Sequence, residues 1–160
     1  MKMTAIKIAR QYCGLTMVEL LIVLAMIAIL MTAGIPSYVR YQERAVRTAA
    51  MAGLLQCAST AEQIASIHLS YQAVDADEDG VPDADICTSA IPSDDNPAYR
   101  IVIESLSTTA FRFAAIPVVG ARMEGTGKLS IDSVGVRGWD RNADGKLDTD
   151  AIPSELGWQQ

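Results

Sequence analysis

Hydrophobic and polar positions follow three regimes along the chain. Residues 15–35 read LTMVELLIVLAMIAILMTAGI, almost uniformly apolar, with Glu19 as the one charged residue. At about 1.5 Å per residue, such a helix spans roughly 31 Å, enough for the core of a bilayer. The next stretch is rich in helix formers, and Val46, Ala50, Leu54, Cys57, Ala61, Ile64 and His68 recur every three or four residues as one face. Glu43, Arg44 and Arg47 mark a solvated opposite face near its start. One long helix over 15–71 is predicted, loosened or kinked at Pro36, with Gly34 adding freedom. Period-two alternation follows in Tyr99–Ser105 and in Ala110–Ile116, where Pro117 stops it. Leu129–Asp132 and Val134–Arg137 read as a short hairpin. The pattern predicts an α+β fold, with a long N-terminal helix packed on three to four antiparallel strands.

Composition narrows the function. A chain of 160 residues fits one domain with an appendage. Its net charge of −6 argues against a general nucleic-acid binder, which needs a basic face, and no nucleic-acid partner is expected. A hydrophobic share of 50% excludes a disordered chain. Residues 1–14 hold Lys2, Lys7 and Arg10 and no acid, which orients the N-terminus to the cytoplasm and the remainder outward. A secretory signal would place its small-residue cleavage motif after the apolar stretch, whereas Gly14 precedes it. Glu19 is the other departure from a plain anchor. A carboxylate in a membrane helix costs about 2.5–3.5 kcal/mol, so it calls for a partner or a position among the headgroups.

The residues Gly14-Leu15-Thr16-Met17-Val18-Glu19-Leu20 resemble the prepilin cleavage motif of type IV pilins and type II secretion pseudopilins. The resemblance implies cleavage after Gly14 by a prepilin peptidase and methylation of the new N-terminal Leu15, where the family usually has Phe. Glu19 takes the place of the family's fifth mature residue, and Pro36 that of its common helix proline. Glu19 would then pair with the α-amine of a neighbouring subunit in the apolar filament core, where an unpaired charge is costly. Further on, Phe111–Pro117, Gly127–Asp132 and Gly135 are similar to the sheet region of PilE-like minor pilins, with Thr126 where those proteins often carry Cys. The implied organisation is a leader (1–14), a transmembrane or filament-core helix (15–36), and a periplasmic or extracellular head (37–160) containing the rest of the helix. The implied partners are other pilins, the peptidase and the inner-membrane assembly machinery. The implied path runs from inner membrane to pilus surface.

Cys13 would leave with the leader. In an oxidising compartment Cys57 and Cys87 are expected to form a disulfide, the alternative being two buried thiols. Two acidic loops stand out. Asp75, Asp77, Asp79 and Asp83 fall at positions 1, 3, 5 and 9 of one, with Gly80 at position 6; Asp140, Asn142, Asp144 and Asp148 do the same around Gly145. This is the spacing of a calcium loop, with the carbonyls of Val81 and Lys146 at position 7. Position 12 holds Ile86 and Ala151 instead of the bidentate Glu of an EF-hand, and Asp85 and Asp150 at position 11 are the candidate replacements. The first loop looks like a thrombospondin type 3 calcium loop one residue short, and the second resembles a dockerin loop. One or two calcium ions are expected; the alternative is a solubilising acidic turn.

No enzymatic constellation is legible. His68 is the single histidine, and the G-x-S-x-G elbow is absent. Gly125-Thr-Gly-Lys128 reads as a turn, because Leu129 replaces the Ser or Thr of a phosphate loop. Trp139 and Trp158 read as packing or rim aromatics. The expected function is a minor type IV pilin stabilised by calcium. A secretion pseudopilin is one alternative, and a filament-displayed calcium-dependent adhesin or DNA-uptake receptor is another. Without residues 1–14 the chain has 10 basic and 19 acidic residues. Six of those acids lie in 75–85, and four acids with two bases lie in 140–150. The acidity is therefore a property of two loops.

Overall fold

The computed structural model describes residues 16–92, 95–147 and 154–158. The chain divides into two compact units, with the boundary between Arg40 and Tyr41. Helix α1 (Met17–His68) contributes to both. Thr16 caps it: the Glu19 N–H donates to Thr16 Oγ1 (3.2 Å) and the Leu20 N–H to the Thr16 carbonyl (3.2 Å). Glu19 therefore also lies in the first turn, where a carboxylate complements the helix dipole.

In the first unit the large apolar side chains from Met17 to Ile35 are exposed, and the segment is long and apolar enough to cross a membrane. A helix that is apolar all round requires lipid or other helices around it. Pro36 stays within the helix and supplies no N–H for the Thr32 carbonyl. The Thr32 hydroxyl donates to the Ile29 carbonyl (2.7 Å).

In the second unit one face of α1 is buried through Ala50, Met51, Leu54, Cys57 and Ala61, flanked by half-buried Val46 and Ile64. His68, expected on this face, is exposed. The helix stops there because Leu69 takes a left-handed φ of 56°, and Tyr71–Val74 forms a separate 3-10 turn capped by Ser70. The expected end at residue 71 is therefore three residues long.

Five strands make one antiparallel sheet in sequential order: β1 (Ala90–Ile91), β2 (Tyr99–Leu106), β3 (Phe111–Pro117), β4 (Leu129–Asp132) and β5 (Arg137–Trp139). The expectation of three to four strands missed β1, whose two residues display no periodicity. Its register, Ile91 opposite Tyr99, is set by pairing with β2. A second correction concerns the last hairpin. Val134 and Val136 alternate like strand residues but lie in its turn. Asp132 Oδ1 accepts the N–H groups of both (3.1 and 2.9 Å), and Gly135 adopts a φ of 84°. Local side-chain capping thus outweighs the apolar alternation, and pairing begins at Arg137.

The core joins the helix face to Tyr99, Ile101, Phe113, Leu129 and Ile131 of the sheet. Gly53 permits the approach. A Cβ there would stand 2.3 Å from Ile91 Cδ1 and 3.3 Å from Ile101 Cδ1. One turn further, Cys57 is joined to Cys87 in a disulfide with a Cα–Cα distance of 5.1 Å and a sequence separation of 30. The chain on either side of Cys87 lines the open side of β2: the Gly80 carbonyl accepts the Ile103 N–H (2.8 Å) and the Ser89 carbonyl the Ile101 N–H (2.7 Å). At the opposite edge residues 155–157 extend the sheet beside β5, through Trp139 N–H to the Glu155 carbonyl (2.8 Å) and Gly157 N–H to the Arg137 carbonyl (2.7 Å).

Replacing Cys57 and Cys87 together with Ser removes the covalent tie between α1 and the loop. By loop-closure entropy the second unit should lose about 3–4 kcal/mol. Urea denaturation of residues 41–160 measures this, and an unchanged midpoint would show that the tie adds nothing to packing.

Candidate functional site

The two acidic loops fold by one hydrogen-bond pattern. In the first, Asp75 Oδ1 accepts the Asp79 N–H (3.1 Å) and Asp75 Oδ2 the Gly80 N–H (3.2 Å). Asp77 Oδ1 also accepts the Asp79 N–H (3.3 Å), and Asp79 Oδ1 accepts the Val81 N–H (2.8 Å). In the second, Asp140 Oδ1 and Oδ2 take the N–H groups of Asp144 (3.2 Å) and Gly145 (2.9 Å). Asn142 Oδ1 accepts the Asp144 N–H (3.1 Å), and Asp144 Oδ1 accepts the Lys146 N–H (2.8 Å). The backbone repeats as well. Position 4 has φ of 59° at Glu78 and 57° at Ala143, and position 6 has 80° at Gly80 and 84° at Gly145. Each carboxylate at position 1 draws the chain back over itself, and glycine takes the left-handed turn at position 6 without steric cost.

In the first loop Asp75, Asp77 and Asp83 each offer a carboxylate oxygen within 4.8 Å of the others. Asp83 joins by accepting the Ala76 N–H (3.1 Å), while its own N–H donates to the Val74 carbonyl (3.1 Å). Asp79 and Asp85 lie outside this group of three. The N–H of Asp79 pulls the Asp77 carboxyl down, but desolvation, the charges of Asp79 and Asp83 and a hydrogen bond with Asp75 outweigh it and hold that carboxyl above the ordinary aspartate value. A cation bound beside Asp77 would act in the opposite direction and favour its charged form. A cleft of about 430 Å³ adjoins the cluster, lined by Asp77, Asp79, Asp83, Cys87 and Thr88.

The second loop is built into the sheet edge. Gly127 has a φ of 80°, and a Cβ there would fall 1.5 Å from the Asp140 carbonyl oxygen, so only glycine admits this approach. Leu147 of the loop covers Gly138 in β5, where a Cβ would meet Leu147 Cδ1 at 2.7 Å. Asp140 is only 2% exposed. Glu155, equally buried, accepts the N–H groups of Arg141 (3.0 Å) and Asn142 (3.4 Å) and so fastens the C-terminal segment to the loop. Sequence reasoning missed Glu155, which no spacing rule connects to Asp140. It also missed Thr16 as the cap for Glu19, although T-x-x-E is a legible capping signal. Gly14, Leu15, Asp148 and Asp150 lie outside the described residues.

Aromatic and basic groups meet on the same edge. The guanidiniums of Arg47 and Arg141 lie 4.3 and 4.5 Å from the ring centre of Trp139, and that of Arg137 lies 5.1 Å from the ring centre of Trp158. Both indoles are anchored, Trp139 Nε1 donating to the Thr126 carbonyl and Trp158 Nε1 to the Gly138 carbonyl (3.0 Å each). Elsewhere Arg112 pairs with Asp132 (3.5 Å) and Lys128 with Glu104.

Comparison with known proteins gives two family matches. The prokaryotic N-terminal methylation motif covers residues 9–35. The model described as "Type IV minor pilin ComP, DNA uptake sequence receptor" covers residues 36–128, more than half of the chain. No curated protein and no solved structure matches the chain. The second match takes in the first acidic loop, both disulfide cysteines and strands β1 to β3, and ends before β4, the second loop and the tryptophan edge. The methylation motif, the apolar helix and the helix-on-sheet head agree with it: the chain belongs to the ComP family of type IV minor pilins.

Proposed function

We propose that this minor pilin is a filament-borne receptor for extracellular DNA whose head is organised by calcium. The family match over residues 36–128 carries the receptor reading, since its description names a DNA uptake sequence receptor. It favours a pilus over a secretion pseudopilus, and it lends no support to the expectation that nucleic acid plays no part. The charge of −6 ceases to be an objection once its location is considered. The acids are gathered in two loops, and divalent cations there would remove about half of the loops' excess charge.

In this reading the chain enters the inner membrane with its N-terminus in the cytoplasm. A prepilin peptidase cuts after Gly14 and methylates Leu15. The helix then joins the filament core beside other pilins. Glu19 meets the α-amine of a neighbouring subunit there, in surroundings where either charge alone would be costly. Deleting the chain should abolish DNA uptake while filaments still assemble. Glu19→Ala should reproduce the uptake defect, with the protein cleaved and membrane-inserted but nearly absent from sheared filaments. Mass spectrometry of those filaments reads the outcome, and normal incorporation of the variant would refute the role given to Glu19.

Calcium is supported by the shared geometry of the loops, whose oxygen-rich turns suit a hard cation with six to eight oxygen ligands. Asp75, Asp77, Asp79 and Asp83 with the Val81 carbonyl would hold one ion, and Asp140, Asn142 and Asp144 with the Lys146 carbonyl the other; Asp85, Asp148 and Asp150 are the further candidates. Calorimetry of the chain should then show binding at millimolar calcium or below, with a rise in Tm. Asp75→Asn and Asp140→Asn should each remove one site. Binding should weaken as the pH falls toward the carboxyl range, because protons compete for the same oxygens. Absence of both heat and Tm shift would leave the loops as acidic turns.

A further inference from the structure

Among the described residues of the second unit, the most exposed large apolar side chains are Leu69 (87%), Val119 and Val134 (85% each), Ile67 (75%) and Tyr41 (71%); the next is Val136, at 49%. These five lie near the two ends of the head along α1, and none lies on a face of the sheet. At the His68 end, the Tyr71 N–H donates to the Thr108 carbonyl (3.3 Å), the Tyr71 ring lies 5.0 Å from that of Phe111, and the Ser133 N–H donates to the Phe111 carbonyl (3.0 Å). The helix terminus, the β2–β3 turn and the β4–β5 turn thus close one end together, and they carry Ile67, Leu69 and Val134. At the other end, Arg122 donates to the Gln42 side chain and the Val118 N–H to the Ala98 carbonyl (3.0 Å). Val119 therefore stands at the same end as Tyr41.

The His68 end is also poor in charge. No Asp, Glu, Lys or Arg occurs in 63–74, 105–111 or 133–136, and Val119 stands in an uncharged stretch, 116–121. Covering either patch strips water from apolar and hydroxyl groups, with no ion to desolvate within these stretches. Orientation fixes which neighbour can cover them. One N-terminal signal directs every copy, so all copies point the same way. In a parallel assembly the His68 end of one head meets only the Gln42 end of a copy displaced along the axis, and two His68 ends do not face each other. The helix from Gln42 to His68 spans roughly 39 Å. Heads standing level in a membrane cannot make this contact, whereas heads stepped along a filament can.

We propose that the end formed by Ile67, Leu69 and Val134 docks on the Tyr41 and Val119 end of a second copy of this chain, stepped by one head length along the filament. The contact joins unlike patches, so it is heterologous and repeats as an open helical array instead of closing into a dimer. The proposal rests on the filament part of the reading above and is independent of DNA and of calcium.

The test replaces Leu69 of the full chain with the photoreactive p-benzoylphenylalanine, irradiates sheared filaments and membranes from cells overproducing it, and maps the adducts by mass spectrometry. In filaments, adducts should join position 69 to residues 41–44 or 118–124 of a second copy, and in membranes they should be absent. The same probe at Val134 should give the same result and does not touch the helix end. The double variant Leu69→Asp with Val134→Asp should enter filaments several-fold less, because it sets charges against an apolar patch. Its Tm should be unchanged, since both side chains are exposed. Three results overturn the contact while the filament reading stands: filament adducts only to another protein or to a second 67–70 segment, filaments that hold both probe variants without any adduct, and normal incorporation of the double variant. Absence of the unaltered chain from sheared filaments defeats that reading and the contact with it.

Discussion

The head depends on one close approach, that of α1 to the sheet at Gly53. Without a Cβ at this position the helix settles against Ile91 and Ile101, and Ala50, Leu54, Cys57 and Ala61 meet the inner face of β2, β3 and β4. The disulfide one turn later secures the same contact covalently through Cys87, just before β1. Strand β1 exists because of this arrangement. Two residues pair too little backbone to be stable alone, and they are held by the helix on one side and β2 on the other.

The acidic loops solve a folding problem before any question of ligand arises. Each must reverse the chain tightly, leaving N–H groups at positions 5 to 7 without backbone partners. Side-chain oxygens at positions 1, 3 and 5 accept those N–H groups, identically in both loops. The device gathers acidic side chains in each turn.

The second loop connects these features. It begins directly after Trp139, approaches β4 through the gap at Gly127, covers Gly138 with Leu147 and is tied to the C-terminal segment by Glu155. The second acidic loop, the β5 edge and the C-terminal segment are thus parts of one substructure at the end of the sheet. The first loop occupies the other end, against the open side of β2, and belongs to the part of the chain shared with the family.

Much of this was determined by sequence alone. The apolar run from Leu15, Gly14 before it and Glu19 within it specified the family and a helix long and apolar enough to cross a membrane, because both signals lie in contiguous residues. The helix face from Val46 to Ile64, strands β2 to β4 and both loop patterns were legible for the same reason: their periodicity and spacing are local. Tertiary structure decided what depends on distant partners. It made a strand of Ala90–Ile91 and a turn of Val134–Val136, left His68 in solvent, and brought Glu155 back to a loop that starts 15 residues earlier. It also set Arg47 from the helix and Arg141 from a loop about one indole. No spacing along the chain encodes such meetings, which arise when a helix, a sheet edge and a terminus compete to bury the same surface.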